Sequence, residues 1–234
     1  MEEKLTYLRK YNKNIRILKI DEISKIDDKV IPIEWRNLFY NDDIKVRIDL
    51  LLNLWEKNVG RELRNTISYL KEHLINIEIM EVESVYSVLY TIQNSKGHIL
   101  YYEGRNPQGG HKNLELEESW GEIPATIQIF YENVHDGFYY YASESMGLVP
   151  LESVTYLGDE DLEWNIVDEL EEPIKINLDS SFGFFTNGMG SYVAIDCTNC
   201  TEDNATFWSA KIKPKYNINF WSYVDEWIVI GFET

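Results

Sequence analysis

The sequence predicts an α+β fold, because its helix-like and strand-like segments form separate runs instead of alternating along the chain. One run of helical periodicity occupies the region from Glu34 to Leu74. Strand-like segments rich in β-branched and aromatic residues follow it and recur in the second half. With 234 residues, 44% of them hydrophobic, the chain can bury the core that such a fold needs.

The first predicted elements lie before Leu74. Residues 15–33 are expected to form a short strand and a charged turn that ends at Pro32. Beyond it, large apolar residues recur every three or four positions, with a polar capping sequence at residues 41–43 and an interruption at Gly60. This spacing predicts two or three amphipathic helices, whose buried face contains Trp35, Leu38, Phe39, Ile48, Leu51, Leu52, Trp55, Leu63, Ile67 and Leu70.

Three strand-like segments follow, at residues 77–82, 86–92 and 98–102. The second and third are separated by residues 93–97, a polar stretch that ends in glycine and is typical of a hairpin connection. Residues 104–113 contain three glycines and a proline. We expect them to form a surface loop, because such a composition cannot support regular structure.

This glycine-rich loop is the best candidate for an internal boundary. It would separate an N-terminal helix-rich region with a β-hairpin, residues 1–120, from an α+β domain, residues 121–234. Alternatively, the N-terminal region packs as part of one domain.

The second half combines short apolar segments with polar turns. Pro124 is expected to open a helix that ends near residues 135–137, and a compact aromatic segment follows. Residues 158–173 are expected to form an acidic loop. The remaining predictions are a closing helix at residues 220–232 and strands at residues 174–178, 182–185, 191–196 and 207–212.

The negative charge is concentrated in the second half. The net charge is −18; residues 1–120 contain 20 Asp and Glu against 18 Lys and Arg, whereas residues 121–234 contain 20 against 4. A surface with this charge repels nucleic acids and anionic membranes and attracts basic partners. The alternative is that like-charge repulsion only keeps the protein in solution. We expect neither a nucleic-acid partner nor a membrane partner.

The sequence shows no targeting signal. The N-terminal residues are polar, and no apolar stretch approaches the roughly 20 residues of a membrane-spanning helix. Two cysteines do not make a disulfide scaffold. These observations predict a cytoplasmic protein.

Cys197 and Cys200 have the spacing of a metal or redox motif. A zinc site needs about four ligands, and the sequence has neither a second cysteine pair nor a histidine nearby. The pair leads into an acidic turn at residues 201–204, which raises the pKa of a thiol instead of lowering it. We expect two unlinked thiols at the end of a strand, and no metal or cofactor.

Catalytic patterns are equally weak. His135 and Asp136 are adjacent and Ser143 and Ser145 lie near them, but the G-x-S-x-G motif is absent and sequence neighbours seldom face each other. His135 is expected to be a loop residue that bonds to the backbone. With Asp136 and Asp196 it forms the least implausible catalytic set, and we expect no enzymatic activity.

Gly188 and Gly190 lie between two aromatic-rich segments. A phosphate-binding loop would require a third glycine and a helix N-terminus, whereas the residues that follow have the composition of a strand. A hairpin turn is the simpler interpretation.

The acidic segment at residues 158–172 is the strongest candidate for a binding surface. It carries apolar side chains within a run of carboxylates, and it lacks the glycine and the spacing of an EF-hand calcium loop. Apolar anchors ringed by charge favour partner binding, although a solvated acidic loop is the simpler alternative. The predicted partner-binding residues are Tyr139, Tyr140, Asp159, Glu160, Asp161, Glu163, Trp164, Asp168 and Glu169.

Several segments of the second half together match a family pattern. Pro124 opens a helix that ends at Phe130-Tyr131 before the Asp136-Gly137 turn, and residues 146–151 form a glycine-and-proline segment. Residues 182–196 provide a strand, a glycine turn, a strand and an aspartate, and Trp208 with residues 224–228 matches a last strand and final helix. In these features residues 123–232 resemble the SUKH superfamily, which includes fungal cell-wall assembly regulators and bacterial immunity proteins.

The resemblance implies a mixed α+β domain with a central, mostly antiparallel sheet flanked by helices. It also implies a protein that binds one cognate polymorphic toxin and neutralises it by contact. From the charge we expect that toxin to be basic, for example a nuclease. The alternative implied by the fungal members is a cytoplasmic regulatory or scaffolding module.

Overall fold

A computed structural model describes residues 2–27, 29–110, 112–201 and 203–234. Within these residues a sheet of 11 antiparallel strands forms the centre of the molecule, so the predicted α+β fold with a central antiparallel sheet is confirmed. The helices are α1 (Glu2–Leu8), α2 (Ile20–Ile23), α3 (Ile33–Phe39), α4 (Ile44–Val59), α5 (Arg64–His73), α6 (Leu114–Ser119), α7 (Ala125–Asn133), α8 (Ile166–Glu169) and α9 (Phe220–Glu233). The strands are β1 (Arg16–Ile17), β2 (Leu74–Val82), β3 (Val85–Gln93), β4 (Ile99–Arg105), β5 (Phe138–Tyr140), β6 (Ser145–Leu148), β7 (Thr155–Tyr156), β8 (Ser181–Thr186), β9 (Ser191–Asp196), β10 (Asn204–Ser209) and β11 (Lys215–Asn219).

The helical run predicted between Glu34 and Leu74 is confirmed as α3, α4 and α5. Asp43 is the N-cap of α4, because its carboxylate accepts a hydrogen bond from the backbone N–H of Lys45 at 2.8 Å. The apolar sides of these helices face the sheet, and the indoles of Trp35 and Trp55 are fully buried there. None of the helices formed by the described residues combines the length and the apolar character that a membrane crossing requires.

The sheet continues across residue 120. The strand order is β1-β2-β3-β4-β5-β6-β8-β9-β10-β11, and β7 also pairs with β8. Strand β4 pairs with β5, with Tyr102 opposite Tyr140, and both halves of the chain contribute side chains to the largest apolar core. Residues 1–120 and 121–234 therefore share one sheet and one core.

A smaller apolar cluster lies apart from this core. Leu8 at the end of α1 and Ile15 just before β1 pack with Met80, Leu89 and Tyr141. The Tyr141 hydroxyl donates a hydrogen bond to the carbonyl of Leu8 at 3.3 Å. The N-terminal segment is thereby attached to strands β2 and β3.

One predicted strand is absent, and the predicted limits of two others are wrong. Residues 174–178 do not form a strand, because the Asn177 side chain accepts from the N–H of Asp179 and caps a short 3₁₀ helix at Leu178–Ser180. Strand β4 extends to Arg105, which pairs opposite Ser87, so the glycine-rich loop starts at residue 106. Strand β10 begins and ends three residues before the predicted range 207–212. His111, which belongs to the predicted loop, lies outside the described residues.

The sequence patterns do not predict α1, α6 or β11. Helices α1 and α6 each bury one side chain and β11 buries none, so no hydrophobic period marks these elements. The compact aromatic segment after residue 137 contains the paired strands β5 and β6.

Candidate functional site

The acidic segment at residues 158–172 is attached to the sheet by its apolar side chains. Trp164 packs edge-on against Trp208 and Tyr192, with ring centroids 5.6 and 6.1 Å away. Its indole N–H donates a hydrogen bond to the carbonyl of Leu157 at 2.8 Å. Ile166 joins the same apolar cluster. The segment therefore presents mainly carboxylates to solvent.

Three of the predicted carboxylates line one open cavity of about 800 Å³, which we name the acidic groove. Asp159, Glu160 and Asp161 share its lining with Glu115 of α6 and Glu152, and all five side chains are exposed. None of the described residues that line the groove is Lys or Arg. The lining is completed by Asn113, Ser153, Val154, Thr155, Tyr156, Gly158 and Leu162.

Local hydrogen bonds hold the walls of the acidic groove. Asn113 is the N-cap of α6, and its side-chain amide donates to the carbonyl of Val154 at 2.9 Å, which ties the helix to the opposite wall. The backbone N–H of Asp161 donates to the Asp159 carboxylate at 2.9 Å, forming an Asx turn. The backbone N–H of Leu157 bonds to the carbonyl of Ser181 at 2.9 Å. These hydrogen bonds therefore hold in place the backbone to which the carboxylates are attached.

The remaining predicted residues of the acidic segment lie elsewhere. Glu163 is exposed but does not line the acidic groove, and Asp168 and Glu169 are exposed on the short helix α8. Trp164 is partly buried against the sheet.

Tyr139 and Tyr140 are adjacent in β5 but have different surroundings. The Tyr140 hydroxyl is 2.9 Å from the hydroxyl of Tyr7, and its ring lies 5.7 Å from that of Tyr102. Tyr139 is only 4% exposed and lines a second cavity of about 330 Å³, which we name the tyrosine cavity. Its walls are formed by Tyr11, Asn12, Val82, Glu83, Val85, Glu103, Arg105, Tyr139, Tyr141, Glu144 and Glu152.

A partly buried carboxyl lies in the tyrosine cavity. Glu103 occupies the middle of β4, and its carboxylate accepts a hydrogen bond from the hydroxyl of Ser87 at 2.6 Å. Burial raises the pKa of Glu103, while the bond from Ser87 and the nearby charge of Arg105 act in the opposite direction.

Arg105 connects the two cavities. Its guanidinium donates to the Glu152 carboxylate at 2.6 Å and lies 3.9 Å from a carboxylate oxygen of Asp136. Glu152 lines both the tyrosine cavity and the acidic groove. The two cavities are therefore neighbouring parts of one acidic surface.

The residues weighed for catalysis are held by separate contacts. The Asp136 carboxylate accepts from the N–H of Leu151 at 2.8 Å, whereas Asp196 accepts from the N–H of Asn177 and the hydroxyl of Ser180. Ser143 and Ser145 pair with each other at 2.7 Å. Each of these carboxylates and hydroxyls therefore has its own hydrogen-bond partner.

His135 does bond to the backbone, as predicted, but it is fully buried in an aromatic core. Its Nδ1 lies 3.2 Å from the carbonyl of Arg105 and its Nε2 lies 2.6 Å from the hydroxyl of Tyr90. The ring is surrounded by Trp35 and Trp55. Burial lowers the pKa of His135 to about 3, so the imidazole is neutral at physiological pH.

Cys197 and Cys200 are free thiols that follow β9, as predicted. Burial and the neighbouring Asp196 raise the pKa of Cys197 to about 12, and burial also raises the pKa of Cys200. Among the described residues, no three Asp, Glu, His or Cys side chains converge as metal ligands. Glu202, in the acidic turn that follows, lies outside the described residues.

Gly188 and Gly190 form the predicted hairpin turn. They join β8 to β9, and both have a φ of 76°. Asn187 stabilises the turn by accepting hydrogen bonds from the backbone N–H groups of Met189 and Ser191. Glycine is needed at these positions because side chains rarely tolerate positive φ.

Sequence reasoning missed the carboxylates that complete the two cavities. Glu115 and Glu103 belong to the first half of the chain, whose charges nearly balance. One local signal was present, since Glu103 interrupts a strand of aromatic and apolar residues, where a carboxylate is unusual. Glu115, Glu144 and Glu152 give no comparable signal.

Comparison with known proteins finds no matching family model, and neither a curated protein nor a solved structure is significantly similar to the chain.

Proposed function

We propose that this protein binds a cognate basic toxin through the acidic groove and neutralises it by contact. The observation that carries the proposal is the lining of the groove, which has five exposed carboxylates and no Lys or Arg among its described residues. One of the five, Glu152, is paired with Arg105, which lies outside this lining. Such a surface complements a positively charged one, for example the phosphate-binding cleft of a nuclease. The resemblance of residues 123–232 to the SUKH superfamily supports a toxin as the partner, and cytoplasm as the place of action.

The charge distribution supports fast and selective association. Residues 121–234 carry 20 Asp and Glu against 4 Lys and Arg, so this half produces most of the negative field. Complementary fields raise association rates by about 10- to 1,000-fold and weaken as salt screens them. A basic partner would therefore be attracted toward this half before any contact forms.

The hydrogen-bonded backbone of the groove supports high affinity for a partner. The Asx turn at Asp159 and the indole hydrogen bond of Trp164 fix the acidic segment in the free protein. A surface that is already ordered loses less conformational entropy when a partner binds. Trp164 would then act by holding the carboxylates in place rather than by entering the partner.

The proposal is tested first by capture of partners from the source cells with the tagged protein, at low and at high salt. We expect one dominant basic protein that is lost at high salt. Several unrelated partners would contradict the proposal and favour a regulatory or scaffolding module.

The location of the surface is tested with the captured partner and two variants of equal charge. The groove variant combines Glu115→Gln, Asp159→Asn, Glu160→Gln and Asp161→Asn. The control combines Asp168→Asn, Glu169→Gln, Glu171→Gln and Glu172→Gln, which are exposed and outside the groove. At low salt we expect the groove variant to associate about tenfold more slowly than the control. Equal rates for the two variants would show that the groove is not the contact surface.

A further inference from the structure

We infer that the tyrosine cavity is a receptor for one arginine side chain of a protein partner. The inference rests on the proposed function only in one respect, namely that the arginine belongs to a basic toxin. The recognition itself follows from three properties of the cavity, namely its excess of carboxylates, its tyrosine walls and its size.

The cavity carries more negative charge than its own cation can balance. Arg105 is already engaged by Glu152 at 2.6 Å and lies 3.9 Å from Asp136, which is outside the cavity lining. The other carboxylates of the lining belong to Glu83, Glu103 and Glu144, and none of the three forms a salt bridge with a described residue. A cation that enters the cavity therefore meets up to three carboxylates that form no salt bridge with a described residue, one of which, Glu103, already feels the charge of Arg105.

The deepest of these carboxylates gains most from a cation. Glu103 is partly buried, whereas Glu83 and Glu144 are exposed at the rim. Burial raises the pKa of Glu103, because its ionised form is poorly hydrated. A cation beside it would compensate for the lost hydration and lower that pKa again.

The tyrosines make the cavity suitable for a planar cation. Tyr11 is 51% exposed, so the face of its ring is accessible to a cation that enters the cavity. Tyr139 and Tyr141 are only 4% and 6% exposed, so they contribute packed, rigid edges of the lining. A guanidinium group stacks on aromatic faces and donates hydrogen bonds to carboxylates in its own plane. A lysine ammonium is compact and strongly hydrated and uses such a site less well.

The size of the cavity also favours an organic cation over a metal ion. Its volume is about 330 Å³, which accommodates a single long side chain. Among the described residues no group of three potential ligands converges closely enough to hold a metal. The five N–H donors of a guanidinium can instead bond to several carboxylates that belong to different strands and turns of the sheet.

In the test, the full chain is titrated with N-acetyl-arginine amide as the probe. Two-dimensional NMR follows the chemical shifts of the backbone amides. We expect weak, saturable binding with shift changes around residues 103, 139 and 144, and at least several-fold weaker binding of N-acetyl-lysine amide. Glu144→Gln alters an exposed residue and should preserve the fold. Together with Glu103→Gln it should weaken binding of the arginine probe about tenfold or more.

The groove variant described above separates this inference from the proposed function. It leaves Glu83, Glu103 and Glu144 unchanged, so it should bind the arginine probe as the wild type does. Absence of saturable shifts in the wild type, or equal binding of the double variant, would overturn the arginine receptor even if a basic partner binds the groove. Normal probe binding with no captured toxin would instead overturn the proposed function alone.

Discussion

The carboxylate of Asp225, in α9, caps the N-terminus of α5 by accepting a hydrogen bond from the backbone N–H of Thr66 at 2.7 Å. Its second oxygen accepts from the N–H of Asn65 at 2.9 Å. Helix α5 has no side-chain cap of its own, because Leu63 stands at its N-cap position. Asp225 is 4% exposed, and its bond to Thr66 is buried, while its bond to Asn65 is partly buried. The closing helix thereby supplies a cap for a helix some 160 residues earlier.

Asp225→Ala should lower the free energy of unfolding by about 2–3 kcal/mol. The substitution removes a helix cap and leaves the buried backbone N–H of Thr66 and the partly buried one of Asn65 without an acceptor. Urea unfolding measures the change. Glu226→Gln, at the exposed neighbouring position, should shift the free energy by no more than about 0.5 kcal/mol. A wild-type midpoint for Asp225→Ala would show that the cap contributes nothing.

The stability of the protein should fall in mild acid because of His135. Its pKa is about 3 in the folded protein and 6.5 ordinarily, so the unfolded chain binds the extra proton between these values. This stability contribution is complete above pH 6.5 and is lost as the pH falls toward 3. Between pH 7 and pH 5 the loss should be about 2 kcal/mol.

The pH effect is assigned by comparing unfolding curves of two variants. His135→Gln should be less stable than the wild type but should lose the part of the pH slope that His135 causes. His98→Gln, at an exposed histidine, should retain the wild-type slope. An unchanged slope in His135→Gln would assign the acid sensitivity to other groups.

Gly104→Ala should destabilise the fold by about 1–3 kcal/mol through overpacking. A Cβ at residue 104 would lie 2.6 Å from Cε1 and Nε2 of His135, whose ring is confined by Trp35 and Trp55. Gly109→Ala is the matched control, since its Cβ would meet nothing within 4 Å. Thermal unfolding of both variants checks the prediction, and equal melting temperatures would contradict it.

Trp164→Ala should lower stability by roughly 1–3 kcal/mol and loosen the acidic segment. The variant loses the packing of the indole on Trp208 and its hydrogen bond to Leu157. Hydrogen exchange of residues 158–172 should accelerate. If Trp164 instead served as an exposed anchor, the variant would release a bound partner faster while stability and exchange stayed at wild-type values.

Local patterns in the sequence determined most of the regular structure. The three- and four-residue spacing of Trp35, Leu38 and Phe39 specifies a helix with one buried face, and the Gly188 and Gly190 turn specifies a hairpin. These features depend on residues that are close in the chain. The strand predicted at residues 174–178 failed because the backbone N–H of Asn177 bonds to the carboxylate of Asp196, which is distant in the chain, while its side chain caps the 3₁₀ helix that follows.

The sequence by itself determined the fold class, helices α3, α4 and α5 and the uneven charge. Only the tertiary structure decided which carboxylates share a cavity, since Glu115 and Asp161 line one groove although they are far apart in the chain. It also decided that Trp164 packs on the sheet and that His135 is buried. The physical reason is that periodicity constrains neighbouring backbone angles, whereas these contacts depend on how the sheet joins both halves of the chain.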